Sequence, residues 1–307
     1  MDFKGSLVAM VTPFKGGRLD PAALREHAAF LLENGTDALV PLGTTGESPT
    51  LANEERAEVL KIVVKAAKGK APVVAGTGTN DTRTTIEHTK AAEALGADAV
   101  LIVTPYYNKP SQEGLFRHFE AAAAATKLPV CLYNVPGRTS VNLHPDTVAR
   151  LSKIRNIKAI KEASGSVDQA VQIRARCRIT VVSGDDALTL PMMERGATGV
   201  ISVAANVIPR AIADLCAAAA AGDLEKACAI HEKYLPLMES LFIETNPVPV
   251  KAALRLMGRG TGEVRLPLCE MAPANAEKLA RALAAAGLTS TSGKRSGSGS
   301  RPRASAR

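Results

Sequence analysis

The sequence predicts an α/β fold, a closed (β/α)8 barrel of the TIM type with a small C-terminal helical region. Two observations predict it. Eight short apolar runs alternate with amphipathic stretches, and eight βα units over roughly 220 residues suit a closed barrel. The runs are β-branched and apolar on both faces, as parallel strands covered on both sides should be. An open doubly wound sheet is the other arrangement of such units, but Gly43-Thr44-Thr45-Gly46-Glu47 is not a dinucleotide-binding fingerprint.

The strand-like runs fall at residues 7–11, 38–42, 72–75, 99–103, 129–133, 157–161, 179–182 and 199–203. Helix-like stretches lie between them at 21–34, 53–68, 82–95, 112–126, 145–152, 167–174 and 187–195. Asp20 before Pro21 supplies an N-cap and a first-turn proline, and Asp81 can cap the third helix. Asn34-Gly35 and Leu95-Gly96 are stop signals. Beyond the eighth run, residues 209–221, 224–241, 248–257 and 274–286 read as helices, interrupted at Gly222-Asp223 and reopened at Asn246-Pro247. Residues 1–223 are therefore expected to form the catalytic barrel, 224–288 a helical region, and 289–307 a disordered basic tail.

Composition narrows the function classes. The net charge of +8 over 307 residues would suit a polyanion binder, but five of those charges are Lys294, Arg295, Arg301, Arg303 and Arg307 in the tail. No specific nucleic-acid partner is expected. No apolar run reaches membrane-spanning length, and the N-terminus leads straight into a strand without a signal peptide, so a cytoplasmic protein is expected. The five cysteines show no CxxC spacing, which excludes a disulfide framework or a thiolate metal site. Cys131 and Cys216 read as small core residues.

Functional side chains of a barrel come from the C-terminal ends of its strands. Here these are Gly43-Thr44-Thr45-Gly46-Glu47, Thr104-Pro105-Tyr106-Tyr107-Asn108, Tyr133-Asn134-Val135-Pro136-Gly137-Arg138-Thr139, Lys161-Glu162, Gly184-Asp185-Asp186 and Gly199-Val200-Ile201-Ser202. Lys161 ends a buried run, and a desolvated amine favours the neutral form that attacks carbonyls. Tyr133 ends the preceding run and offers a phenol as proton carrier. The pair suggests Schiff-base chemistry on a keto acid; an ion pair between Lys161 and a carboxylate such as Glu162 is the plainer alternative. Arg138 suits a carboxylate clamp. Asp185-Asp186 reads as a cap for the next helix. His27, His88, His118, His144 and His231 fall in or beside helices and read as surface residues, so no metal-ligating cluster forms at the rim.

These motifs, with Val11-Thr12-Pro13-Phe14, Ala75-Gly76-Thr77-Gly78, Ser183-Gly184-Asp185-Asp186 and Asn246-Pro247-Val248-Pro249-Val250-Lys251, resemble the dihydrodipicolinate synthases. That family belongs to the pyruvate-dependent class I aldolase superfamily, which also holds N-acetylneuraminate lyase. The resemblance runs from about Gly5 to Leu288. It implies condensation of pyruvate with L-aspartate 4-semialdehyde, the first committed step of lysine biosynthesis by the diaminopimelate pathway, without metal or organic cofactor. It implies that Lys161 forms the Schiff base, and that Thr45 and the Ile201 main chain hold pyruvate. Tyr133 would move protons in a relay with Thr44 and Tyr107, the last reaching into a neighbouring subunit. Arg138 would bind the carboxylate of the semialdehyde. A homotetramer built as a dimer of dimers is implied.

The family's allosteric lysine site is matched by Ser48, Asn80 and Tyr106. Asn53, Arg56 and Thr84 stand where lysine-inhibited relatives carry two histidines and a glutamate, which disfavours a cationic effector. Two neighbouring readings remain: a sister pyruvate-dependent aldolase or dehydratase using another aldehyde or keto acid, and a non-catalytic sensor on the same fold. The intact Lys161, Tyr133, Thr44 and Tyr107 weigh against the sensor.

Overall fold

A computed structural model describes residues 1–289. The basic tail expected beyond them lies outside the described residues, apart from position 289. Eight parallel strands form one sheet: β1 (Gly5–Ala9), β4 (Ala38–Val40), β5 (Val74–Gly76), β6 (Ala99–Val103), β7 (Val130–Asn134), β8 (Ile157–Glu162), β9 (Thr180–Ser183) and β10 (Gly199–Ser202). β2 (Phe14–Lys15) and β3 (Arg18–Leu19) make a small antiparallel hairpin after β1. The order around the large sheet is β4-β1-β10-β9-β8-β7-β6-β5. A Leu39–Val73 bridge joins its two ends, with the Leu39 N–H donating to the Pro72 carbonyl (3.0 Å) and the Gly76 N–H to the Pro41 carbonyl (2.9 Å). The sheet therefore curls into a barrel and the doubly wound alternative falls.

The connecting helices are α1 (Pro21–Glu33), α2 (Asn53–Ala67), α3 (Thr82–Ala94), α4 (Gln112–Ala124), α6 (Pro145–Leu151), α7 (Val167–Arg176), α8 (Thr189–Glu194) and α9 (Pro209–Ala221). A four-residue helix, α5 (Pro136–Thr139), stands in the loop after β7. Asp20 caps α1 by accepting from the Ala22 and Ala23 amides, and Asp81 caps α3 through the Thr84 amide. Three further helices follow: α10 (Leu224–Ser240), α11 (Val248–Leu256) and α12 (Pro273–Ala285).

The buried residues divide into two layers, as the alternation of strand side chains requires. Leu7, Ala9, Ala38, Val40, Val74, Leu101, Cys131, Ala159, Val182 and Ile201 fill the barrel interior. Their strand neighbours, among them Val8, Leu39, Val100, Leu132, Ile160 and Val181, face the helices in the larger outer layer. Cys131 and Cys216 are buried and free, as expected of core residues.

Two expectations about polar residues fail. His27 and His118 are buried rather than on the surface. His27 Nε2 lies 2.9 Å from Asn206 Oδ1, and His118 Nδ1 lies 2.9 Å from Thr82 Oγ1. Asn206 Oδ1 also accepts from the Val11 amide while its Nδ2 donates to Ala9 and Val203 carbonyls, so His27 ties α1 to a polar knot at the end of β1. Asp186 does not cap α8. It accepts from Ser202 Oγ and from the Val203 and Ala204 amides, bracing the turn after β10. Asp185 instead accepts from the Ala187 amide within its own loop.

Burial pushes His27 down from 6.5 to about 4, with the Asn206 bond raising it less and Arg259 adding a smaller downward push. Between these values the unfolded chain binds the extra proton. This contribution to stability is present above about pH 6.5 and is lost as pH falls towards 4, by up to ~3 kcal/mol. His27→Gln should flatten the fall of the urea-unfolding midpoint over that window; parallel profiles for the two proteins would refute this assignment.

Candidate active site

Register places the site. In β7 and β8, Tyr133 pairs with Lys161 and Asn134 with Glu162. One step along the strand reverses the face, so Tyr133 and Lys161 point into the barrel while Asn134 and Glu162 point to the helices. Lys161 is 5% exposed, and its Nζ lies 4.4 Å from the centroid of the Tyr133 ring. Among the described residues it has no carboxylate within salt-bridge distance, so the plainer alternative of an ion pair with Glu162 is not what the fold provides. Glu162 accepts from Asn134 Nδ2 (3.1 Å), Gln169 Nε2 (3.1 Å) and the Ser164 amide (2.7 Å) behind the strand. Burial holds its carboxyl above the ordinary range against those bonds.

Gly184, just beyond β9, makes room for the lysine. A Cβ there would lie 2.6 Å from Ala163 Cβ and 2.9 Å from Lys161 Cε. Ile201 sits on β10, fully buried in the interior layer.

A cleft of about 630 Å³ opens at the C-terminal mouth. Thr44, Tyr133 and Arg138 line it, together with Asn246 and Pro247. Ser48, Asn53, Arg56, Asn80, Thr84, His88 and Tyr106 line the same cleft. Thr45 is buried beside the cleft, where Asn246 Nδ2 donates to its Oγ1 (3.0 Å). Tyr107 stands apart. It is 88% exposed on the loop after β6 and does not line the cleft of its own chain.

The loops around the mouth are strained. Leu42 (φ 63), Glu47 (φ 52), Tyr107 (φ 74), Lys109 (φ 44) and Ser140 (φ 58) occupy left-handed backbone, and all five follow β4, β6 or β7. Such conformations persist only where surroundings enforce them. Much of that enforcement comes from the C-terminal region, which local sequence pattern does not reveal. Lys251 Nζ donates to Glu47 Oε1 at 2.5 Å, both side chains being buried, and the Arg265 amide donates to Glu47 Oε2 at 3.0 Å. Asn246 holds Thr45 through its side chain, and its carbonyl accepts from Arg138 Nη2 at 3.1 Å. The Asn246-Pro247-Val248-Pro249-Val250-Lys251 motif is the one signal that marks this segment.

The arrangement is chemically specific: one buried amine free of acids among the described residues, a phenol against it, and a hydroxyl and a guanidinium lining the cleft that the phenol also lines. It suits nucleophilic attack on the carbonyl of a small carboxylate. No group of His, Cys, Asp and Glu suited to a metal occurs among the described residues.

The chain matches the dihydrodipicolinate synthetase family over residues 2–286. It is 58% identical over 279 residues to the 4-hydroxy-tetrahydrodipicolinate synthase of Trichlorobacter lovleyi, covering 90% of this chain and 96% of that protein. The same-named protein of Geobacter sulfurreducens is 56% identical over the same shares. The crystal structure of dihydrodipicolinate synthase from Aquifex aeolicus superposes with a TM-score of 0.91 at 47% identity, over 93% of this chain and 99% of that one.

Gly184→Ala tests the packing around the amine. The added methyl must displace the Lys161 side chain, and the rate of borohydride-trapped adduct formation with a small keto acid should fall roughly tenfold, ~1.4 kcal/mol of barrier. An unchanged rate in a folded variant would show that the lysine does not depend on that space.

Proposed function

The chain belongs to the dihydrodipicolinate synthetase family, and on that premise we propose that it is a lyase that condenses pyruvate with L-aspartate 4-semialdehyde to give 4-hydroxy-tetrahydrodipicolinate, a step of lysine and diaminopimelate biosynthesis. The observation that carries this reading is the buried, acid-free Lys161 packed against Tyr133 at the barrel mouth.

Lys161 Nζ attacks the pyruvate carbonyl carbon, and water leaves as the imine forms. The protonated imine draws electrons from the methyl group, which gives up a proton and becomes the enamine carbon. That carbon attacks the aldehyde of the second substrate, whose oxygen takes a proton and becomes the ring hydroxyl. The substrate amine then attacks the imine carbon, closes the ring and releases Lys161 as the free amine. Tyr133 is the group set to carry these protons, in a relay with Thr44 and Tyr107. Thr45, held by Asn246, and the Ile201 main chain serve the pyruvate carboxylate. Arg138, steadied on the Asn246 carbonyl, takes the carboxylate of the semialdehyde.

Tyr107 serves this relay from a second copy of the chain. Its exposure and left-handed backbone support that reading. The proposed assembly is a cytoplasmic homotetramer, a dimer of dimers in which each tight dimer shares its sites. No helix among the described residues is long and apolar enough to cross a membrane.

Three outcomes are expected. Pyruvate with borohydride should label Lys161, read by peptide mass mapping, and Lys161→Ala should abolish labelling whereas Lys158→Ala should not; modification at Lys158 would sink the assignment. Inactive Tyr107→Phe and Lys161→Ala chains, mixed and reassembled, should regain activity, because a mixed dimer holds one site with both native residues. Mixed dimers without activity would put Tyr107 in its own chain's site.

L-lysine should inhibit weakly or not at all. Ser48, Asn80 and Tyr106 line the cleft, but Arg56 brings a cation and Thr84 donates its hydroxyl to Asp81 rather than offering a free carboxylate. Two missing charged hydrogen bonds remove ~3–6 kcal/mol. Initial rates measured up to tens of millimolar lysine check this; half-inhibition below about 1 mM, ~4.1 kcal/mol of binding, would contradict the charge argument.

A further inference from the structure

Four connections lead into neighbouring strands at the end of the barrel opposite the cleft. They are residues 125–129 into β7, 152–156 into β8, 177–179 into β9 and 195–198 into β10. They contain Lys127, Lys153, Arg155, Arg178 and Arg195 and no acid. Lys158, the second residue of β8, and Arg174 and Arg176, in the last turn of α7, stand beside them. All eight residues are exposed. Arg176 pairs with Asp146 (2.7 Å), and Arg174 donates to the Arg195 carbonyl (2.7 Å). The side chains of Lys127, Lys153, Arg155, Lys158, Arg178 and Arg195 form no salt bridge and no hydrogen bond among the described residues.

Nearby acids do not offset this strip. Glu93 accepts from Thr126 Oγ1 (2.7 Å) and lies near the Lys127 amide, and Glu194 is exposed beside Arg195. Elsewhere on the same end, Asp37 accepts from the Ser6 amide, Asp98 accepts from the Val73 amide, and Asp2 pairs with Lys4. Lys68 and Lys70, both exposed, add further cations there. Of the net +8, five charges lie beyond residue 289, which leaves +3 for the described residues. Even with Asp146, Glu93 and Glu194 counted against it, the strip is more positive than that. The remainder of the described chain is therefore net negative, and the field is concentrated at one end.

The class of partner follows from the strip's spacing and from what it lacks. Adjacent strands lie about 4.8 Å apart, so the four connections span roughly 15 Å. A nucleic-acid duplex offers about one phosphate per 1.7 Å along such a line. Arg155, Arg178 and Arg195 present guanidinium forks, which pair with phosphate oxygens through two bonds. No aromatic residue lies in the four connections, so unpaired bases find nothing to stack on. Leu128, Ile154 and Ile179 pack against the core rather than facing outward, so the strip offers no apolar anchor to a bilayer.

We infer that this basic end of the barrel is a docking surface for a nucleic-acid duplex, held through its phosphates without reading base sequence. A duplex bound there leaves the cleft at the other end open, so the inference does not rest on the proposed reaction.

The test uses the full-length protein and fluorescein-labelled duplexes of about 20 base pairs, one DNA and one RNA, followed by anisotropy across a salt series. Log affinity should fall linearly with log salt at a slope of about −3.5 to −5.5, the value for about four to six neutralised phosphates. Binding of either duplex supports the surface, and the ratio of the two identifies its source. The variant Lys153→Gln/Arg155→Gln/Arg178→Gln should bring the slope towards zero by about 2–3 and weaken binding at least about tenfold at low salt. A chain with Lys294, Arg295, Arg301, Arg303 and Arg307 all changed to Gln should still bind. A second readout needs no variant. Acetylation of Lys127, Lys153 and Lys158 on the native protein, read by peptide mass mapping, should be suppressed by the duplex, while that of the exposed Lys61 on α2 should not. No anisotropy change up to about 100 μM protein at low salt would overturn the inference. So would unprotected lysines, or binding that is lost only when the tail is neutralised. Sedimentation with phosphatidylserine vesicles in place of duplex binding would make the surface a membrane contact and overturn it equally. An enzyme inactive with pyruvate whose three lysines the duplex still protects would sink the proposed reaction and leave this surface standing.

Discussion

The single constraint on which this molecule rests is the register between β7 and β8. Tyr133 faces Lys161 across that pair, and both side chains enter the barrel because the strand alternates every residue. A slip of one position would turn Lys161 towards the helices and bring Glu162 into the interior, replacing an amine by a carboxylate at the mouth. Asn134 and Glu162 oppose such a slip. They are hydrogen-bonded to each other directly behind the pair, within a buried polar group that includes Asn142 and Gln169. Burying Glu162 is unfavourable unless every oxygen finds a donor, so this group is satisfied only in the native register.

The second layer of control comes from the far end of the chain. The loop after β4 turns through two non-glycine residues in left-handed conformation, each costing about 1–3 kcal/mol. Lys251 and the Arg265 amide hold Glu47 in that loop, and Asn246 holds Thr45 beside it. Removing one partner from a buried ion pair generally costs ~3–5 kcal/mol, comparable with the strain being restrained. The helical region is therefore not a separate appendage. It fixes the positions of hydroxyls that the barrel alone leaves on a strained loop.

This division explains what the sequence made legible. The eight strands were readable because each is a local apolar run, although the first ends at Ala9 rather than at residue 11. Lys161, Tyr133 and the cleft residues were readable because barrel strands deliver them to one rim. The β2–β3 hairpin was missed because it has two residues per strand, and α5 because it is one turn in a Pro-Gly loop. The Glu47–Lys251 and Thr45–Asn246 bonds span 204 and 201 residues, beyond the reach of any local pattern. His27 and His118 misled for a related reason. Helical position says little about exposure when both faces of a helix find cover, and the Asn206 partner of His27 lies 179 residues away.

The cleft's electrostatics follow from the same packing. Its two lining arginines are each anchored on main-chain carbonyls, Arg138 on Asn246 and Arg56 on Gly76. A carbonyl fixes a guanidinium without neutralising it, so both remain able to pair with an incoming carboxylate. The acids of this region are engaged by different means: Glu47 pairs with Lys251, Glu162 faces the helices, Asp186 accepts from main-chain amides, and Asp81, which keeps its charge on the cleft wall, caps α3. The balance left at the mouth is positive, and a cleft with low-dielectric walls focuses that field on anions. Pyruvate is a net anion, so the field favours its entry before any specific contact forms, whereas L-aspartate 4-semialdehyde is a net-neutral zwitterion that the field orients carboxylate-first. The field opposes entry of a ligand whose recognition depends on its ammonium groups. Selectivity at this mouth thus begins with where the acids are bonded, a property of the packing rather than of composition.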